Sequence, residues 1–156
     1  MNKVLVFLHV AGALVLAGEI LFSSLWLRAS LARPGEPGVT RYVLATMQFT
    51  SRGVALPAML VNLITGIVLT MTTDLHMSKA IWLIVSIILY TVLSSLWHGT
   101  LIPLRKRMAA MIESAGPCVL PADYPAFARQ WVKISGSVVA LFAVILALMI
   151  WRPTLQ

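Results

Sequence analysis

The chain has 156 residues, of which 60% are hydrophobic and 11% charged, with a net charge of +7 and a mean hydropathy of +0.92. A soluble domain this short leaves too much surface in water to hide that much apolar area, so the chain reads as an integral membrane protein with the lipid bilayer as its solvent. The basic residues lie between apolar runs rather than along an amphipathic face, which argues for membrane topology and against nucleic acid as a partner. Cys118 is the single cysteine, which excludes an internal disulfide and a cysteine-rich metal site.

The first apolar run covers 4–27 and is closed by Arg28; its length and that arginine mark a retained helix rather than a cleaved leader. A turn-rich break follows at Pro34-Gly35-Glu36-Pro37-Gly38. From Thr40 to Ser51 apolar residues mix with Arg41, and this stretch either extends the second helix or lies on the surface. The second run covers 54–73, with Pro57 near its start as an early-turn residue or a mild kink. The third covers 80–104, ends on Arg105-Lys106-Arg107, and is expected to continue as a helix to Ser114 and stop at Gly116-Pro117. Asp123-Tyr124-Pro125 is a helix start signal ahead of the fourth run at 134–151.

Each run has roughly the 17–25 residues that cross hydrocarbon, and only helices satisfy their own backbone there. The expected fold is all-α: one domain, an antiparallel bundle of four transmembrane helices, with loops 28–53 and 105–133 on the cytoplasmic side. Of the 12 Lys and Arg, those two segments hold nine: Arg28, Arg33, Arg41, Arg52, Arg105, Lys106, Arg107, Arg129 and Lys133. Lys3, Lys79 and Arg152 remain for the other side. The positive-inside rule then places both termini on the outer, periplasmic side of a bacterial inner membrane. The five tryptophans lie toward helix ends, where aromatic belts form.

Ionisable residues inside hydrocarbon are expensive and therefore informative. Helix one carries His9 and Glu19, which share one face with Gly12, Leu16 and Ser23. Helix two offers Asn62, Thr65 and Gly66; helix three offers Ser86, Tyr90, Ser94 and His98. Depth decides which can meet. Glu19 stands nine residues above Arg28, about 13 Å from the inner boundary, and His98 seven residues before Arg105, about 10 Å from it. Glu19 and His98 are therefore expected partners in the inner half of the membrane. His9 lies about 9 Å below the outer surface, roughly 18 Å in depth from His98, too far for both to ligate one haem iron. Glu19 reads as a structural ion pair with His98 or Arg52, as a proton relay, or as a residue beside a haem or metal. Met71, His76 and Met77 cluster near the outer end of helix two, a thioether and imidazole set that suits Cu(I).

Taken in order, His9 with Gly12 and Gly18, Pro57 with Thr65-Gly66, Trp82, Leu101-Ile102-Pro103-Leu104 before the basic cluster, and the closing Met149-Ile150-Trp151-Arg152-Pro153 form a pattern. It resembles a bacterial family of small integral membrane proteins without an assigned function, distantly related to the CopD copper-resistance membrane domain and to HemJ. The resemblance implies four helices and a link to haem b or copper, with His9 matching the first-helix histidine of HemJ-type proteins.

Three functions follow as expectations. The chain is a haem- or copper-linked redox or transport protein using His9 on the outer side, with a second ligand from elsewhere or from a second subunit of a homodimer. Alternatively it is an accessory subunit of a larger membrane complex, or a small proton-coupled transporter built on Glu19. Hydrolase chemistry finds no support, since no nucleophile elbow, phosphate-cradling loop or HExxH helix occurs.

Overall fold

The structure is a computed structural model that describes residues 3–33, 36–72, 81–116 and 119–151. The described residues contain helices and no strand. Four helices are long and apolar enough to cross a membrane: α1 (Lys3–Leu31), α2 (Pro37–Thr72), α3 (Ile81–Ser114) and α4 (Tyr124–Trp151). With 36 and 34 residues, α2 and α3 are roughly 50 Å long, well beyond a hydrocarbon core of about 30 Å. Their surplus continues past the apolar runs as helix.

The segments 28–53 and 105–133, assigned to the loops between the apolar runs, are helical over most of their length: the third helix continues to Ser114 and the fourth starts at Tyr124, as the end signals predict, and Thr40 to Ser51 extends α2. The physical reason lies in residue spacing. Thr40, Val43, Leu44 and Met47 are buried on one face of α2, at the i, i+3, i+4, i+7 positions of a packed helix. Leu104, Arg105, Met108 and Ile112 do the same on α3. These stretches are too polar on their other faces to register as apolar runs, yet their inner faces are buried. Leu27, Met47, Met108, Tyr124 and Ala128 are fully buried there. Toward the other end the helices show lipid-ready surfaces, such as Phe7, Leu14, Ile64 and Ile67, as apolar side chains facing hydrocarbon should.

α1 is the central helix, packed against α2 on one side and α4 on the other, and α4 in turn packs on α3. The close approach of α1 and α2 depends on Gly12. A Cβ there would lie 3.2 Å from the Ala58 carbonyl oxygen, so small-residue packing joins these helices. Among the described residues, no Cα of Leu56–Thr72 in α2 comes within 8 Å of one in Ile81–Leu96 of α3. The two helices meet only beyond the apolar runs. The bundle is thus open along one side.

The packed end is closed by Arg41. Its guanidinium Nη2 donates to the carbonyls of Ile112, at 2.6 Å, and Gly116. Gly116 has φ +81°, the left-handed conformation that commonly ends a helix. A cation on those last carbonyls also complements the helix dipole.

Candidate functional site

His9 sits where α1 meets α2. Its Nδ1 lies 2.9 Å from the Asn62 carbonyl oxygen and 3.1 Å from Thr65 Oγ1. A carbonyl only accepts, so Nδ1 carries the proton and donates, and Nε2 keeps its lone pair. Asn62 returns the bond, its Nδ2 donating to the His9 carbonyl at 2.8 Å. The Thr65 hydroxyl donates to the Val61 carbonyl at 2.6 Å, which leaves its lone pairs free to accept from His9. The imidazole lies against Gly66, where an added Cβ would stand 3.0 Å from its Cε1. The ring is therefore oriented by two acceptors and by a glycine that leaves room for it.

Glu19 is buried at the other end of the same helix face. Its Oε1 accepts from Ser23 at 3.0 Å, from Thr50 at 3.1 Å and from Ser51 at 3.5 Å. Its Oε2 has no hydrogen-bond partner among the described residues. Arg105 of α3, itself buried, donates from Nη1 to the Met47 carbonyl at 3.0 Å and to the Ser51 hydroxyl. Ser51 thus receives a hydrogen bond from the guanidinium and passes one to the carboxylate. An acid of α1, a hydroxyl of α2 and a cation of α3 form one chain, in which both opposite charges are held away from hydrocarbon.

The cation beside Glu19 is accordingly Arg105, in place of the expected His98 or Arg52. His98 is exposed. Its Nδ1 donates to the Ser94 carbonyl one turn back, at 3.0 Å, and no described contact joins it to Glu19. Arg105 excels as partner because its long fork reaches the buried hydroxyl. His9 and His98 also remain separate, each bound to its own neighbours. Met71 is 80% exposed at the end of α2, while His76 and Met77 lie outside the described residues. Among the described residues no three His, Cys, Asp or Glu side chains converge as a metal site would require.

Two local features escaped the sequence reading. Ser51–Ala55 in α2 and Trp97–Leu101 in α3 are π-helical turns. In each, the residue after the turn bonds five residues back, Leu56 N–H to the Ser51 carbonyl and Ile102 N–H to the Trp97 carbonyl. The next residue is proline in both cases, Pro57 and Pro103. Proline lacks the N–H for an ordinary helical bond and crowds the carbonyl four residues before it. That position is glycine in both, Gly53 and Gly99. The shared pattern is a basic residue, glycine, three residues and proline: Arg52-Gly53-Val54-Ala55-Leu56-Pro57 and His98-Gly99-Thr100-Leu101-Ile102-Pro103. The spacing was available in the sequence as a signal. Such π-turns recur at functional sites.

Both turns border a cleft of about 200 Å³ on the open side of the bundle. Leu16, Ile20 and Phe142 form its floor, Leu56 and Met59 one wall, and Tyr90, Leu93 and Trp97 the other. At one end stand Arg52, Arg105, Lys106 and, deeper, His98. Among the described residues, no acidic one lines it.

A family model described as predicted integral membrane protein (DUF2269) matches residues 3–153, and the chain belongs to that family. No curated protein and no solved structure matches it.

Proposed function

We propose that this multi-pass membrane protein is haem- or copper-linked, with His9 supplying one ligand from within the bilayer. The observation that carries the reading is the state of the imidazole. Ligating histidines typically donate their second ring N–H to a carbonyl or carboxylate, which fixes tautomer and orientation. His9 has that arrangement, with Nδ1 committed to Asn62 and Thr65 and Nε2 left with a lone pair. Bound haem or copper would supply one-electron redox chemistry. His9 would ligate it, Asn62 and Thr65 would orient His9, and Gly66 would keep the ring's position open. A second ligand would come from elsewhere in the chain or from a second copy of it in a homodimer.

The topology that fits this reading is an antiparallel bundle in a bacterial inner membrane, both termini outside and the arginine-rich helix ends in the cytoplasm. His9 then faces the outer half of the bilayer. Met71, with His76 and Met77, remains a second candidate copper site at the same outer end. The test is spectroscopic and analytical. Protein extracted gently and purified should carry a Soret band or stoichiometric copper, and His9→Ala should lose it while keeping its helical content. Protein devoid of both would refute the proposal.

The reading as an accessory subunit of a larger membrane complex rests on a different observation, the lipid-facing apolar surface of α2 around Ile64 and Ile67. It predicts co-purification with a fixed partner. The carrier reading of Glu19 has less support. The carboxylate is enclosed by Ser23, Thr50 and Ser51 and does not line the cleft, so an ion-pair role with Arg105 suits it better.

A further inference from the structure

The cleft between α2 and α3 is separate from His9 and is used by none of these readings. Along the apolar segments the Cα atoms of its two walls stay more than 8 Å apart, so in a bilayer this side of the bundle is accessible to hydrocarbon. Its charge is one-sided. Arg105 is balanced by Glu19 through Ser51, whereas Arg52 and Lys106 are exposed and, among the described residues, no acidic side chain lines the cleft. Both cations stand at the ends of the apolar runs, the level of lipid headgroups. His98 lies seven residues deeper on α3 than Arg105, about 10 Å by helical rise, followed toward the membrane centre by Leu93 and Tyr90. The order from one end to the other is therefore cationic, then polar, then apolar, which is the order of phosphate, ester and acyl chain in a lipid.

We propose that this cleft is a binding site for one acidic phospholipid, its phosphate held between Arg52 and Lys106 and one acyl chain lying between Met59 and Leu93 over Phe142. The two π-turns carry Arg52 and His98, which are exposed and line the site from opposite walls. The ligand is drawn from the leaflet directly, because the cleft opens sideways. A neutral phospholipid fits the apolar part equally well but leaves the two cations without a counter-charge.

Trp97 lines the cleft and reports its occupancy. The full-length protein would be reconstituted with phosphatidylglycerol or phosphatidylcholine carrying brominated acyl chains, and the Trp97 signal taken as the difference between wild type and Trp97→Phe. Brominated phosphatidylglycerol should quench that signal at about 25-fold lower mole fraction than phosphatidylcholine, from roughly fivefold per basic residue near an anionic lipid. Arg52→Gln with Lys106→Gln should abolish the preference. Arg52→Lys with Lys106→Arg should retain it, as should Arg107→Gln, which changes an exposed cation outside the cleft. Trp26, on α1 and outside the cleft, should show no such preference in the matching Trp26→Phe difference. Equal quenching by both lipids overturns the proposal, and so does a preference that survives the double glutamine variant or is as strong at Trp26. A brominated fatty acid that displaces phosphatidylglycerol from Trp97 at equal mole fraction overturns the assignment to a phospholipid.

Discussion

Replacing Arg105 with methionine tests whether the Glu19–Ser51–Arg105 chain holds three helices together. Methionine keeps most of the side-chain volume and removes the charge. Glu19 is 8% exposed and Arg105 6%, so neither can turn to water once the other is gone. Removing one member of a buried pair costs about 3–5 kcal/mol, because the remaining charge is left without compensation. For a chain of this size a loss of 1 kcal/mol lowers the melting temperature by about 2–4 °C. Arg105→Met should therefore fall by about 6–20 °C in thermal denaturation in a mild detergent. The companion Glu19→Gln with Arg105→Met removes both charges and should recover most of that loss, giving a coupling energy of at least about 2 kcal/mol. The cycle is needed because Arg105→Met also strips a hydrogen bond from the Met47 carbonyl, a loss common to single and double variants. Additive behaviour, with coupling below about 0.5 kcal/mol, would refute the reasoning and reduce Arg105 to a carbonyl-capping residue.

Gly66→Ala places a methyl group 3.0 Å from His9 Cε1, so the ring shifts and its bond to Asn62 weakens, at a cost of about 1–3 kcal/mol. Gly18→Ala, which meets nothing within 4 Å, should be neutral or slightly stabilising by the same denaturation assay. Asn62→Ala removes the Nδ2 bond to the His9 carbonyl and should cost about 0.6–2 kcal/mol, the range for polar contacts between membrane helices; a loss below that range would mean that this bond does not help to hold α1 against α2. Arg41→Gln uncaps α3 and should speed amide exchange at Met111 to Gly116, at a cost of about 1 kcal/mol, leaving exchange in α1 unchanged.

The membrane character and the four helices were legible because hydropathy is a one-dimensional property of the chain. The continuation past Arg105 to Ser114 and the start at Tyr124 were legible from their end signals, whereas Thr40 to Ser51 left a helix extension and a surface segment open, because Arg41 and its polar neighbours lower the average hydropathy. Burial at Thr40, Val43, Leu44 and Met47 shows where the signal lay. His9, Glu19, Asn62 and Thr65 stood out because polar groups in hydrocarbon are costly. Partner choice was the illegible part. Depth arithmetic put Glu19 level with His98, but depth says nothing of the direction in which a side chain leaves its helix. His98 is exposed at the cleft, whereas Arg105 is buried with its guanidinium on Ser51 and the Met47 carbonyl, and the π-turn that contains His98 changes the rotation of the helix before Arg105.

The two π-turns also explain why so polar a chain of contacts can form. Met47, Ser51 and Ala55 are all buried, at successive steps of four. In an ordinary helix of 3.6 residues per turn, each such step drifts by about 40°, and Ala55 would rotate away from the face that carries Met47. A wider turn absorbs the drift. On α3 the steps Leu93, Trp97, Leu101 and Arg105 repeat the spacing, with Leu93, Leu101 and Arg105 buried and Trp97 packed against the core. Without the wide turn, Arg105 would leave the face that meets Ser51. A single proline-induced bulge needs no purpose beyond relieving its own crowding. Two of them, each with glycine four residues before proline and a basic side chain before the glycine, set the register of both helices that carry the buried chain and border the cleft. Restoring ordinary helix at either turn should therefore disturb Glu19 and the lipid site together, which ties the stability of the packed end to the shape of the open side.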